Sequence, residues 1–223
     1  MDISSYLQLL ISGLTVGSTY GLTALGFTII FNTTGIINFA QGEFVMLGGM
    51  LGVFMMKWLG LSLGWAVVGA VVVTTIVGAC VERFTIRPVR DASIINLIIV
   101  TIGVSILLRG VAMLVWGKDT YALPPFSGNK PISLLGATIL PQSIWILVIT
   151  LLLLGALKVF FSTSMIGKGM LACSYDRKAA YLMGISVERM VLFSFMLSAL
   201  VGAVGGVILA PITLTSFDAG ILL

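Results

Sequence analysis

Six apolar stretches, each close to the length that crosses a bilayer, dominate this chain: residues 6–31, 36–56, 62–82, 92–116, 142–162 and 190–210. A hydrocarbon core about 30 Å thick needs roughly 20 such residues per helix, so each stretch is expected to span it. Polar breaks separate them at Asn32 to Gly35, Lys57 to Gly60, Arg83 to Asp91, Gly117 to Pro141 and Ser162 to Arg189. Only 9% of residues are charged against 59% hydrophobic, which leaves too little polar surface to coat a water-soluble globule. The expected fold is therefore all-α: a polytopic transmembrane helical bundle of about six spans, forming one domain over residues 1–223.

Charge asymmetry sets the expected orientation. Placing the third and fifth connections in the cytoplasm puts Arg83, Arg87, Arg90, Lys158, Lys168, Arg177, Lys178 and Arg189 inside, and leaves Lys57, Lys118 and Lys130 outside. The N-terminus is then external, as is the stretch from Gly117 to Pro141. The net charge of +4 does not point to nucleic acid, because the basic residues lie in separate short connections rather than on one face. Glycines recur four residues apart at Gly13, Gly17 and Gly21, at Gly48 and Gly52, and at Gly202 and Gly206. Such spacing lets helices approach closely in lipid, within one subunit or between two.

Enzyme chemistry has little to work with here. There is no histidine, and Cys80 and Cys173 are the two cysteines, so the usual His/Cys metal sets cannot be assembled. No catalytic residue, metal site or cofactor is expected. The nearest approach to a phosphate-binding loop, around Gly167-Lys168-Gly169, has Ser162 in place of the first glycine and Gly169 in place of the hydroxyl residue. If ATP drives this protein, another chain hydrolyses it.

Two segments carry functional signals. In Gly35 to Glu43 the polar residues Asn38, Gln41 and Glu43 interrupt an apolar span, with Gly35 and Gly42 permitting local unwinding. A broken or re-entrant segment exposes backbone groups that protein or a water-filled cavity must satisfy, so Asn38, Gln41, Gly42 and Glu43 are candidates for lining a solute path. A tight hairpin that satisfies its own ends is the alternative. Arg109, inside the fourth span, is expected to snorkel or to bind a neighbouring carbonyl. In the last cytoplasmic stretch Leu171, Tyr175, Ala179, Leu182 and Met183 recur at helical spacing, with Ser174, Asp176, Arg177 and Lys178 off that stripe. This predicts a short amphipathic helix closed by a left-handed Gly184. Periodicity leaves open whether it lies on membrane lipid or docks a cytosolic protein.

Two runs together resemble one family. Gly35-Ile-Ile-Asn-Phe-Ala-Gln-Gly-Glu-Phe with Met46-Leu47-Gly48, and the pattern Ala172-Cys-Ser-x-Asp176-x-x-Ala179-Ala180-x-x-x-Gly184-Ile185, look like permeases of the branched-chain amino acid uptake family of ABC importers. Lys178 stands where the best-known version of the second motif has glutamate.

The resemblance implies a permease in the bacterial cytoplasmic membrane that works with cytosolic ATP-binding subunits, a second permease subunit and a periplasmic or lipid-tethered solute-binding protein. It makes the segment from about Gly169 to Met183 a cytoplasmic coupling helix, with Leu171, Ala172, Asp176, Ala179, Ala180, Leu182, Met183 and Gly184 as ATPase-coupling residues. The solute would be a branched-chain or other small amino acid, or a related small solute such as urea or an amide. Family members continue with further membrane segments, so the resemblance also implies that this chain lacks C-terminal ones. A secondary carrier or channel, and a scaffold without a solute path, remain alternatives from the residues alone.

Overall fold

A computed structural model of the chain describes residues 3–90, 92–128, 130–134 and 137–222. Eight α-helices carry the fold: α1 (Ile3–Thr34), α2 (Gln41–Lys57), α3 (Leu63–Val81), α4 (Ile94–Trp116), α5 (Pro141–Thr163), α6 (Met165–Tyr175), α7 (Arg177–Leu182) and α8 (Val187–Thr213). Among the described residues five helices are long and apolar enough to cross a membrane: α1, α3 with the turns that follow it, α4, α5 and α8. The remaining expected span, residues 36–56, is different. It becomes an irregular stretch followed by the 17-residue α2, of which 11 residues are buried in protein; the helix is about 25 Å long.

Glycine explains how α2 is enclosed. Gly48 faces the backbone of Ala203, Gly49 sits near Thr215, and Gly206 lies against the backbone of Val45. Each of these contacts leaves no room for a Cβ, so α2 and α8 meet backbone to backbone. The central helix is α8, which packs on α1, α2 and α3. Its apolar span is 61% buried, against 17% for α5. The glycine stripe of α1 behaves otherwise: among the described residues a Cβ at Gly13, Gly17 or Gly21 would meet nothing within 4 Å. Packing inside the subunit is thus the role of the α2 and α8 glycines and not of those three.

The all-α expectation holds, and the long connection after α4 carries one short hairpin. Ile132–Leu134 pairs antiparallel with Ala137–Ile139, Ile132 opposite Ile139. The Thr138 amide donates to Gln8 Oε1 at 2.8 Å, pinning this hairpin to the start of α1. Tyr121 and Thr215 exchange two backbone hydrogen bonds of 2.8 and 2.7 Å, tying the same connection to the end of α8. At the opposite end, a π-helical turn Glu82–Ile86 and a 3-10 turn Arg87–Val89 carry α3 toward α4.

Candidate functional site

The break between α1 and α2 is built by hydroxyls and one amide. α1 ends where Gly35 takes φ +64°, a left-handed conformation that glycine adopts without penalty. The Thr34 hydroxyl accepts the Ile36 amide at 3.1 Å, and Asn38 Oδ1 accepts the Ala40 amide at 3.1 Å. Thr101, from α4, accepts the Phe39 amide at 3.3 Å and donates to the Ile98 carbonyl at 2.8 Å. Three of the amides freed by the break are therefore met by side chains, as a non-helical segment at membrane depth requires.

Polar side chains follow immediately, in the first turn of α2. Glu43 is 1% exposed. Its Oε1 accepts the Ser105 hydroxyl at 2.8 Å and lies 3.2 Å from Arg109 Nε. Arg109 also reaches Ser105 Oγ through Nη2 at 3.3 Å. Arg109 does bond a neighbouring carbonyl, its Nε donating to Ser105 O at 3.5 Å, and a buried carboxylate 66 positions earlier, which the sequence did not reveal as its partner, holds it as well, because an unpaired charge in this environment is far costlier than a paired one. The helix N-terminus beneath Glu43 adds a favourable field for the carboxylate.

Gln41 makes a separate connection. Its side chain fits against Gly26, where a Cβ would overlap the amide. The Ser198 hydroxyl donates to the Gly26 carbonyl at 2.8 Å and also contacts Gln41 Oε1. One amide and one hydroxyl therefore join α1, α2 and α8. Gln41 braces the break, while Asn38 and Glu43 each keep one buried atom, Asn38 Nδ2 and Glu43 Oε2, without a hydrogen-bond partner among the described residues.

Asn38, Gln41, Glu43, Ser105 and Arg109 border one cavity of about 770 Å³ between α1 and α4, with Tyr20, Phe27, Phe39 and Ile102 among its apolar walls and Gly42 and Gly220 also lining it. The four residues singled out in the sequence line it together. Ser105 and Thr101 were missed, yet Thr101, Ser105 and Arg109 recur every four residues and so share a face of α4. That polar stripe in an apolar span was available as a signal.

At the other end of the bundle the expected coupling helix is two helices. Asp176 breaks it in an extended conformation, and its Oδ1 accepts the amides of Lys178 at 2.8 Å and Ala179 at 3.1 Å. This is the usual N-cap geometry, which a short carboxylate favours over continuing the preceding helix. α7 closes on Gly184 at φ +82°, with Ile185 N bonded to Ala180 O and Gly184 N to Tyr181 O, each at 3.0 Å. Both bonds belong to the Schellman closure of a helix end. The periodic stripe points outward: Leu171 is 41% exposed, Tyr175 90%, and Leu182 and Met183 83% each. Ala179 is exposed as well, and Ala180 is the buried member of the pair. Ala172 packs partly against the core cluster that includes Met170 and Cys173. Burial pushes the Cys173 thiol above its ordinary range, as befits an inert packed cysteine.

Beside α7 lies a second hollow, of about 1050 Å³, bordered by Arg87, Arg90, Arg177, Lys178 and Arg189 against Glu82 and Glu188. Glu188 binds both Arg87 and Arg90, fastening the connection after α3 to the start of α8. The third and fifth connections thus meet at one end of the bundle, which is the arrangement the charge asymmetry requires. Ser198, three turns along α8 from Glu188, is the residue that touches Gln41.

The comparisons with known proteins agree over most of the chain. A family model described as branched-chain amino acid transport system / permease component matches residues 9–222. The chain is 34% identical over 216 residues to the high-affinity branched-chain amino acid transport system permease protein LivH of Escherichia coli, covering 92% of this chain and 70% of that one. It is 33% identical over 216 residues to LivH of Salmonella typhimurium, with the same coverage. It is 34% identical over 220 residues to the permease protein BraD of Pseudomonas aeruginosa, covering 93% and 72%. No solved structure matches.

Proposed function

The chain belongs to the family of branched-chain amino acid transport permease components, and from that premise we propose that its α1–α4 cavity lies on the path by which a branched-chain or other small amino acid crosses the membrane. It is a multi-pass membrane protein and a transport component rather than an enzyme. The observation that carries the reading is the Glu43, Ser105 and Arg109 cluster at the mouth of α2. A buried ion pair in a helical bundle is expensive, and a pair bordering a cavity is suited to a polar solute.

The complex we infer contains cytosolic ATP-binding subunits, a second permease subunit and a periplasmic or lipid-tethered solute-binding protein, in a bacterial cytoplasmic membrane. The exposed apolar residues of α6 and α7 are the surface offered to the ATP-binding subunit. Uptake into vesicles reconstituted with the co-expressed ATP-binding subunits should need ATP and stop with vanadate. Uptake that persists without them would overturn the ATP-driven reading.

Alanine at Asn38, Gln41 or Glu43 should each impair uptake more than assembly, measured as initial rate per unit of folded protein. Normal rates in all three variants would show that these residues serve only the local turn.

Orientation is tested separately. Ser127 and Tyr175 are both exposed and lie at opposite ends of the bundle. In intact cells lacking Cys80, Ser127→Cys should react with an impermeant thiol reagent and Tyr175→Cys should not. The reverse pattern would place α7 outside and remove it from any contact with a cytosolic partner.

A further inference from the structure

We propose that the cavity at the start of α2 binds its solute as an α-amino acid zwitterion, with Glu43 Oε2 accepting the ammonium group and the Arg109 guanidinium and Asn38 amide donating to the carboxylate. The proposal rests on the reading that this cavity lies on the solute path, and adds to it what the cavity recognises.

The unmatched atoms carry the argument. Glu43 Oε1 is engaged by Ser105 and Arg109, but among the described residues Oε2 is buried with no donor. Asn38 Nδ2 is buried with no acceptor. Leaving a buried acceptor and a buried donor unmet is costly, more so when one belongs to a carboxylate. A ligand that brings one donor and one acceptor removes both penalties. The Arg109 side chain is 26% exposed, so its guanidinium is accessible as well as paired.

Spacing then selects among such ligands. Glu43 and Arg109 are in direct contact at 3.2 Å, so the two charges a ligand meets are adjacent. An α-amino acid carries its ammonium and carboxylate on one carbon and matches this arrangement. An ω-amino acid holds them several bonds apart and loses chain entropy in folding back to meet both. The walls formed by Phe27, Phe39 and Ile102 are apolar and suit an aliphatic side chain. A volume of about 770 Å³ is within the range of small-molecule sites.

The test uses a cysteine at Ala24, an exposed position lining the cavity, in the full chain with Cys80→Ser, since Cys80 is itself exposed. The alkylation rate of Ala24→Cys in membrane vesicles is measured with L-leucine, 4-methylpentanoate, leucinamide or 6-aminohexanoate present. L-Leucine should slow the reaction, and the other three should need at least about tenfold higher concentration, the loss expected for one charge-assisted hydrogen bond. Glu43→Gln should raise the protecting concentration of L-leucine about tenfold while leaving that of 4-methylpentanoate unchanged. A change in selectivity of this kind does not follow from misfolding. Arg109→Lys, which keeps the cation, should retain protection.

Equal protection by L-leucine and 4-methylpentanoate, or unchanged protection in Glu43→Gln, would overturn the zwitterion proposal alone. Absence of protection by L-leucine in a protein that still takes up leucine would overturn the path reading with it.

Discussion

Gly206→Val should abolish accumulation of the folded protein, lowering the monodisperse fraction recovered from membranes by about tenfold or more. Any Cβ at this position overlaps the Val45 backbone and crowds the Gly49 amide. Backbone cannot rotate away as a side chain can, so α8 must separate from α2. Overpacking a helix interface typically costs about 1–3 kcal/mol and more where no side chain can yield, and a marginally stable fold has little in reserve. The control is Gly13→Val, where nothing lies within 4 Å. Size-exclusion profiles of the two variants check the contrast. Equal recovery of both would show that α2 and α8 do not meet as closely as described.

Leu182→Asp should weaken association with the ATP-binding subunit at least tenfold while leaving the permease folded. Leu182 is 83% exposed, so removing it takes almost nothing from this chain's own core. Burying one large apolar side chain in a partner's groove is worth about 1.5–3 kcal/mol, and each 1.4 kcal/mol is about tenfold in affinity. Gly184→Val acts on the same element by another route. At φ +82° a β-branched residue is strained, so the Schellman closure that aims α7 would be lost. ATP hydrolysis should then uncouple from uptake even where the subunit stays bound. Co-purification of the ATP-binding subunit in wild-type amount with Leu182→Asp would remove α7 from the interface.

The two functional regions differed in how much of them could be read from the chain. Asn38, Gln41 and Glu43 stood out because polar residues in an apolar run are costly, and they do border one cavity. Their separate roles were hidden. Gln41 is fastened by Ser198, 157 positions away, and Glu43 by Ser105 and Arg109. Arg109 read as a solitary cation because its partner lies on another helix. The stripe from Leu171 to Met183 is exposed, but the single helix it suggested is divided at Asp176. A helical period and an N-capping residue compete there, and the cap prevails because its carboxylate satisfies two amides at once.

Composition and periodicity alone determined that this chain lives in a membrane, that its elements are helices, and which ends gather positive charge. These follow from local quantities, namely the length of apolar runs and the side-chain chemistry of the breaks, and need no knowledge of neighbours. Which apolar run is wrapped in protein instead of facing lipid was a tertiary matter. Residues 36–56 are as apolar as a span, yet α2 is enclosed because Gly48 and Gly206 let two backbones meet. Gly13, Gly17 and Gly21 of α1, at the same spacing, meet nothing among the described residues. Equal spacing gives opposite outcomes because close approach depends on what stands opposite, and only the folded arrangement supplies that.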